Sequence, residues 1–169
     1  MLNIINNLSP FFEDCYIEVG VREYSRLMGV SPPTASNLLK KFEKENLLKK
    51  RGERGYLLFR ANRESFVLKD LSRIYWKEKL KRIIEYLNDN LHYPYIILFG
   101  SLSKLETKKD SDIDLAVFGK ISKKVNFEKF EKEIKRNIQS FKFDSIDKIK
   151  SKELKMNILN GYVLGGEII

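Results

Sequence analysis

Cysteine and histidine are almost absent from this sequence, and their scarcity excludes several kinds of site. The 169 residues contain one cysteine, Cys15, and one histidine, His92. A single cysteine forms neither an internal disulfide nor a cysteine-based zinc site, and it fits a reducing compartment. Because apolar residues surround Cys15, we interpret it as a small core residue rather than a nucleophile.

Long apolar runs are also missing. No segment approaches the ~20 apolar residues that a transmembrane helix needs, and the N-terminus lacks the basic region and apolar core of a signal peptide. We therefore expect a cytoplasmic protein with no membrane partner. Hydrophobic residues still make up 43% of the chain, which is typical of a folded globular protein and argues against disorder.

Positive charge exceeds negative charge along the chain. Lysine and arginine number 32 against 23 acidic residues, which gives a net charge of +9. Such an excess suggests a polyanionic partner, although a lysine-rich proteome would produce the same balance.

The length allows two small domains. The order of the predicted helices and strands favours one domain at 1–62, a helical connector at 63–91 and a second domain at 92–169. The overall fold class is α+β, and the second domain is expected to contain a mixed sheet flanked by helices.

The first domain begins with two helices joined by a short turn. Apolar residues at helical spacing predict a helix that ends at Gly29, a typical C-terminal glycine. Ser31 is a candidate N-cap for the next helix, with Pro32 at its first position. Two β-rich segments, Leu47–Lys50 and Tyr56–Arg60, flank a basic turn and predict a β-hairpin.

The order of helix, turn, helix and hairpin resembles the winged helix-turn-helix domain of transcriptional regulators. Residues 40–60 contain eight basic residues against three acidic ones, which favours contact with phosphates. A solvated basic face used for protein contact or dimerisation is the alternative. The candidate DNA-binding residues are Ser31, Thr34, Ser36, Asn37, Lys40, Lys41, Arg51 and Arg54. Winged-helix regulators often dimerise, and the resemblance therefore suggests a homodimer.

The second domain contains the segment that points most directly to chemistry. Tyr95–Phe99 and Ile113–Phe118 read as strands, and a Gly100-Ser101 turn follows the first. Asp112 and Asp114 are two residues apart, so both carboxylates lie on one strand face. Two adjacent carboxylates resist ionising together unless a cation neutralises them, and all-oxygen ligands suit Mg²⁺.

Gly100-Ser101, ten further residues and then Asp112-x-Asp114 resemble the signature of the DNA polymerase β-like nucleotidyltransferases. The small size resembles the minimal nucleotidyltransferases of bacteria and archaea. The resemblance implies that Asp112 and Asp114 hold Mg²⁺, with two ions expected. It also implies that Gly100, Ser101 and Lys104 bind the phosphates of ATP.

The resemblance implies a third carboxylate on the adjacent strand. Asp144 is the candidate for this catalytic and metal-binding role, on a predicted strand Phe141–Ile149, and Asp147 is its rival. The chain also departs from the family at one place. Many members carry Ala-Arg-Gly where this sequence has Ser103, Lys104 and Leu105, so the basic residue is kept and the glycine is replaced.

The resemblance implies an antitoxin-like enzyme that transfers AMP from ATP to a hydroxyl, commonly a tyrosine, of a HEPN-type RNase toxin. A second hypothesis is a DNA-binding regulator whose nucleotidyltransferase domain is inactive or only senses nucleotide. Transfer to a small molecule, as in the aminoglycoside nucleotidyltransferases, is a third. A calcium loop at Asp110–Asp114 is excluded, because Leu115 and Ile121 stand where an EF-hand needs glycine and glutamate.

Overall fold

The computed structural model describes residues 2–53, 55–92, 94–119 and 125–166. The chain divides into two compact units. The first comprises Met1–Tyr75 and Leu105–Lys109, and the second comprises Trp76–Lys104 and Asp110–Ile169. The loop between the Gly-Ser turn and the aspartate pair is therefore divided, and its middle residues belong to the first unit.

The first unit contains three helices and a small antiparallel sheet. The helices are α1 (Asn3–Glu13), α2 (Val21–Met28) and α3 (Pro32–Lys44). The strands are β1 (Val19–Gly20), β2 (Leu48–Glu53) and β3 (Tyr56–Ala61), in the spatial order β1-β3-β2. The helices and the hairpin β2–β3 lie where the sequence predicts them.

Local signals define the turn between α2 and α3. Gly29 has a φ of +63° and ends α2 in the left-handed conformation that glycine adopts at little cost. The Ser31 side chain accepts a hydrogen bond from the Thr34 N–H, and Pro32 opens α3, where its missing N–H leaves no hydrogen bond unmade. These short-range preferences explain why the turn is predictable from the sequence.

Aromatic side chains form the core of the first unit. Phe11 and Phe12 of α1, Tyr24 of α2 and Phe59 of β3 are all fully or almost fully buried. The Phe11 and Tyr24 rings stack with their centroids 6.2 Å apart. The Tyr24 hydroxyl donates to the Asn7 carbonyl at 2.7 Å, which satisfies the one polar atom that this buried ring brings with it.

The second unit is built on a four-stranded mixed sheet. Helix α4 (Phe66–Lys79) contains the boundary between the units and is followed by α5 (Lys81–Asn90). The remaining elements are β4 (Tyr95–Phe99), α6 (Ser101–Lys104), β5 (Ile113–Phe118), α7 (Glu128–Ile134), β6 (Ile138–Phe143), a 3₁₀ turn (Ile146–Lys148), α8 (Lys152–Leu159) and β7 (Tyr162–Gly165). The strand order is β6-β5-β4-β7, with β5 and β6 parallel and the other pairs antiparallel. The expected α+β class with a mixed sheet is confirmed.

One boundary differs from the sequence prediction and matters for the site. The spacing of apolar residues predicts a helix over 125–138 and a strand from Phe141, but α7 ends at Ile134 and β6 begins at Ile138. Lys135 adopts a left-handed φ of +59° and terminates the helix. Because Ile138 follows Ile134 by four residues, its position fits a helical period as well as a strand.

One face of the sheet changes from apolar to polar along its length. Ile97, Phe99, Ala116 and Phe118 lie in one buried cluster with Ile149 and with Ile158 of α8. Side chains alternate between faces along a strand, so Asp112 and Asp114 share the face of Ala116 and Phe118. The polar end therefore begins where the apolar cluster ends.

No helix in the described ranges is long and apolar enough to cross a bilayer.

We predict that Cys15 reacts slowly with thiol reagents in the native protein. Its thiol donates to the Leu105 carbonyl at 3.1 Å, and burial raises its pKa from 9.0 to about 11. Because the thiolate is the reactive form, a shift of two pKa units lowers reactivity about 100-fold at neutral pH. Iodoacetamide labelling followed by mass spectrometry measures this rate, with the urea-unfolded chain as control. Equal native and unfolded rates would contradict the buried position.

Candidate functional site

The turn after β4 lies directly against the aspartate pair. In the antiparallel β4–β5 pairing, Phe99 is opposite Asp114, so Gly100 directly follows the partner of Asp114. Gly100 has a φ of +71°, and a Cβ added there would overlap the Asp114 Oδ2 atom and lie 3.1 Å from its Cγ. Only glycine fits this position, for both its backbone angle and its lack of a side chain.

Asp114 lies on β5 and Asp112 lies just before its first residue, two positions away on the same face. Asp114 is half-buried, and burial raises the pKa of its carboxyl above the ordinary value, with the negative charge of Asp112 raising it further. Within the described part of the chain, no hydrogen bond to the Asp114 carboxylate is found. A cation placed between the two carboxylates would relieve both effects by favouring the charged forms.

Two amide side chains hold Asp112. Asn137 Nδ2 donates to its Oδ1 atom at 3.2 Å, and Gln139 Nε2 donates to its Oδ2 atom at 2.6 Å. The parallel register explains their position, because Gln139 of β6 is paired with Asp114 and the Asn137 carbonyl accepts from the Ile113 N–H. The Arg136 guanidinium also donates to the Ser111 carbonyl at 2.7 Å, which fixes the backbone just before Asp112.

The spacing of apolar residues does not place Asn137 and Gln139 on a strand, because it extends the preceding helix to Ile138 and starts the strand only at Phe141. The sequence does contain a pattern that indicates a strand at these residues. Asn137, Gln139, Phe141 and Phe143 repeat with a period of two, which is the spacing of one strand face. The polar pair comes first and the aromatic pair second, in the same order as Asp112 and Asp114 precede Ala116 and Phe118 on β5.

Asp144 does not lie with the aspartate pair, which corrects the expectation that it completes the site. Phe143 is paired with Phe118 at the far end of the parallel strands, so Asp144 follows five residues after Gln139. That separation is roughly 16 Å along a strand. Strand alternation also assigns Asp144 to the opposite face. Asp147 is exposed in the 3₁₀ turn, where its carboxylate accepts from Lys155 at 3.2 Å.

The predicted phosphate-binding residues lie on and beside the short helix α6. Ser101 is its first residue and is partly exposed. The Ser103 hydroxyl donates to the Gly100 carbonyl at 2.9 Å and so stabilises the turn. The Lys104 ammonium donates to Asn157 Oδ1 of α8 at 3.0 Å, so this side chain links α6 to α8.

Leu105 keeps the backbone conformation that glycine would adopt most easily. Its φ is +60°, and its side chain is fully buried. A left-handed conformation costs a bulky residue about 1–2 kcal/mol. The first unit holds the segment in place, because the Leu105 carbonyl accepts from the Cys15 thiol and the Thr107 carbonyl accepts from the Cys15 N–H at 2.9 Å. Leu105 therefore adopts a left-handed backbone conformation without a glycine.

The predicted DNA-binding residues of α3 are mostly on its surface. Thr34, Asn37, Lys40 and Lys41 are exposed and follow one another at helical spacing. Ser36 is partly buried. Ser31 is exposed. Its hydroxyl oxygen accepts the N-cap hydrogen bond from the Thr34 N–H and also lies 2.9 Å from the Thr34 Oγ1 atom. This face of α3 is polar and basic, and it is open to a ligand.

Of the two hairpin arginines predicted to bind DNA, the structure describes only Arg51. Arg51 of β2 forms a two-pronged ion pair with Glu18 and a second ion pair with Glu53 at 2.8 Å. The hydrogen bonds from Arg51 lower the pKa of Glu18. Arg51 therefore already has acidic partners that a phosphate would have to displace. Arg54 lies outside the described residues.

The residues present fit a divalent cation held by oxygen ligands. Mg²⁺ is commonly bound by one or two carboxylates together with substrate phosphates, and Asp112 and Asp114 supply that number. No cluster of three or more histidine, cysteine, aspartate or glutamate side chains occurs among residues 2–53, 55–92, 94–119 and 125–166. The donor set is therefore smaller than the three carboxylates expected from the sequence.

Comparison with known families identifies the second unit. The family model described as polymerase beta, nucleotidyltransferase matches residues 81–166, a little over half of the chain. The matched segment contains the Gly100-Ser101 turn, the aspartate pair and all four strands of the mixed sheet. No curated protein and no solved structure matches the chain.

We predict that Gly100→Ala disables metal binding while Gly29→Ala does not. Both glycines have positive φ, so each substitution costs about 1–2 kcal/mol of stability. Only the Cβ at position 100 meets a neighbour, because nothing lies within 4 Å of a Cβ at position 29. Mn²⁺ affinity should fall more than about tenfold in Gly100→Ala alone, as measured by paramagnetic resonance of free Mn²⁺. Equal affinities in the two variants would contradict the close approach to Asp114.

Proposed function

The chain belongs to the polymerase beta nucleotidyltransferase family, and from this premise we propose that it transfers AMP from ATP to a hydroxyl group of a partner protein. The observation that carries the proposal is the packing of Gly100 against Asp114, with Asp112 two residues away on the same strand face. This arrangement combines a closely approachable backbone turn with two oxygen ligands for Mg²⁺.

In the proposed reaction the acceptor oxygen attacks the α-phosphorus of ATP. The bond between that phosphorus and the α–β bridging oxygen breaks, pyrophosphate leaves, and the acceptor proton passes to solvent. Asp112 and Asp114 would hold a divalent cation, which would neutralise developing charge on the phosphates. Gly100 permits close approach of the backbone, and the partly exposed Ser101 hydroxyl donates to a phosphate oxygen.

We propose that the first unit is a winged helix that binds DNA. The proposal is supported by the order α2, turn, α3 and hairpin, and by the exposed polar face of α3. In such domains the second helix enters the major groove and the hairpin contacts the backbone. Asn37 suits base contact, and Lys40 and Lys41 suit phosphates.

The acceptor that we propose is a HEPN-type RNase toxin, which makes the protein an antitoxin, cytoplasmic and dimeric on DNA. This part of the proposal depends on the resemblance of the motif to minimal nucleotidyltransferases. The basic excess of the chain is consistent with the DNA-bound form.

A second candidate function is a regulator that binds nucleotide without transferring it. The observation in its favour is Gln139, an amide at the β6 position opposite Asp114, whereas the third carboxylate expected from the sequence, Asp144, lies five residues further along. A site with two carboxylates still binds a metal–nucleotide complex, but it has fewer groups to activate an acceptor. The two candidates therefore differ in whether α-phosphate is transferred.

We predict that α-³²P-labelled ATP with Mg²⁺ labels the protein encoded by the adjacent gene, and that Asp112→Ala/Asp114→Ala abolishes the label. Removing both metal ligands should lower the rate on the order of 100-fold or more, because charge on the triphosphate is no longer neutralised. Autoradiography of the partner after electrophoresis measures the product.

Two controls define the outcome. γ-³²P-labelled ATP should leave the partner unlabelled, since only the AMP moiety is transferred. Nucleotide binding by the wild type without label on the partner supports the regulator instead. A double variant that still labels the partner would show that the reaction does not use this site.

We predict that Lys40→Ala/Lys41→Ala weakens binding to a short mixed-sequence duplex and lowers the salt dependence of binding. Each lost phosphate contact should reduce the slope of log K against log salt by about 1. Fluorescence anisotropy at several salt concentrations measures both quantities. Lys150→Ala/Lys152→Ala is the matched control, because it removes the same charge from exposed positions in the second unit. If both double variants bind alike, α3 is not the binding surface.

A further inference from the structure

The amides around Asp112 form an arrangement that neither the motif nor the family match assigns. Each of the two carboxylate oxygens of Asp112 accepts one amide hydrogen bond, from Asn137 at 3.2 Å and from Gln139 at 2.6 Å. Such paired donors fix the rotation of a carboxylate. The remaining lone pairs of Asp112 are then held in one direction.

Backbone geometry fixes these amides in turn. Asn137 is joined to Ile113 by a backbone hydrogen bond, and Gln139 is level with Asp114 in the parallel pairing. Asn137 lies just before β6 and Gln139 lies two residues later on it, so both side chains lie on the same face of the sheet as the two aspartates. Rigid strand positions of this kind orient metal ligands more accurately than loops do.

The charge of the cluster also limits what it binds. Asp112 and Asp114 supply two negative charges, and the amides supply none. One divalent cation balances that pair, whereas two cations about 4 Å apart would repel each other without a further ligand to bridge them. Gln139 occupies the paired position from which a third side chain would reach the cluster, and its Nε2 atom is a donor that binds no metal.

We propose that Asn137 and Gln139 are positioning residues that hold Asp112 for a divalent cation, and that the amide at 139 limits the protein's own site to a single ion. The inference rests on the proposed function, because it concerns the metal of the same site. It differs from the sequence expectation of two ions and three carboxylates.

The test counts Mn²⁺ ions bound to the full chain without nucleotide, by paramagnetic resonance of free Mn²⁺. We expect one ion for the wild type. Gln139→Ala should still bind one ion, about 10- to 100-fold more weakly. Gln139→Glu keeps the shape but adds a third carboxylate, and it should bind two. Gain of an ion is a result that a merely structural role for Gln139 does not produce.

Ser140→Ala is the matched control, because Ser140 follows Gln139 on β6 and lies on the opposite strand face. It should bind one ion with wild-type affinity. Thermal unfolding of each variant checks that it folds. Asn137→Ala gives a second, independent variant, with the same expected loss of affinity as Gln139→Ala.

Different outcomes overturn different conclusions. Two ions in the wild type, wild-type affinity in Gln139→Ala and Asn137→Ala, or one ion in Gln139→Glu would overturn the present inference alone. Retention of the ion by Asp112→Ala/Asp114→Ala would instead show that the two aspartates do not bind the metal. That result would also contradict the site of the proposed transfer. A single ion that is lost in that double variant and weakened in the amide variants supports the inference.

Discussion

The close approach between Gly100 and the Asp114 carboxylate is the constraint on which the candidate site depends. It requires that Phe99 pairs with Asp114, because a shift of one residue would move both aspartates to the other face of the sheet. It also requires a positive φ at Gly100, which turns the chain into α6. The register of one strand pair thus places the Gly100-Ser101 turn beside the two aspartates, and no contact with a ligand is needed to form the arrangement.

Features set by short-range preferences could be predicted from the sequence. Strands β4 and β5 were recognisable because each is a short apolar run bounded by polar or turn residues, and the two-residue spacing of Asp112 and Asp114 gave their common face. Gly29 and Ser31 gave the turn between α2 and α3 for the same reason, since caps act within a few residues. The α+β class followed from these elements.

The other half of the site could not be predicted, because it depends on the pairing of segments far apart in sequence. Parallel pairing of β6 with β5 decides which residue lies opposite Asp114, and a local pattern holds no information on that register. The helical spacing of Ile134 and Ile138 moved the expected start of the strand to Phe141, so Gln139 fell outside the strand and Asp144 became the candidate for the third carboxylate. The left-handed Lys135 that ends α7 is not a glycine, and the sequence gives no signal for it there.

Leu105 shows how a left-handed backbone conformation is kept in place without the expected glycine. The chain leaves the second unit after Lys104 and re-enters it at Asp110, and the five residues between belong to the first unit. There, Cys15 binds two of their carbonyl groups and burial of Leu105 offsets its unfavourable backbone angle. A glycine would adopt that angle freely but would contribute no buried side chain. Contacts within the first unit therefore hold the backbone of these five residues.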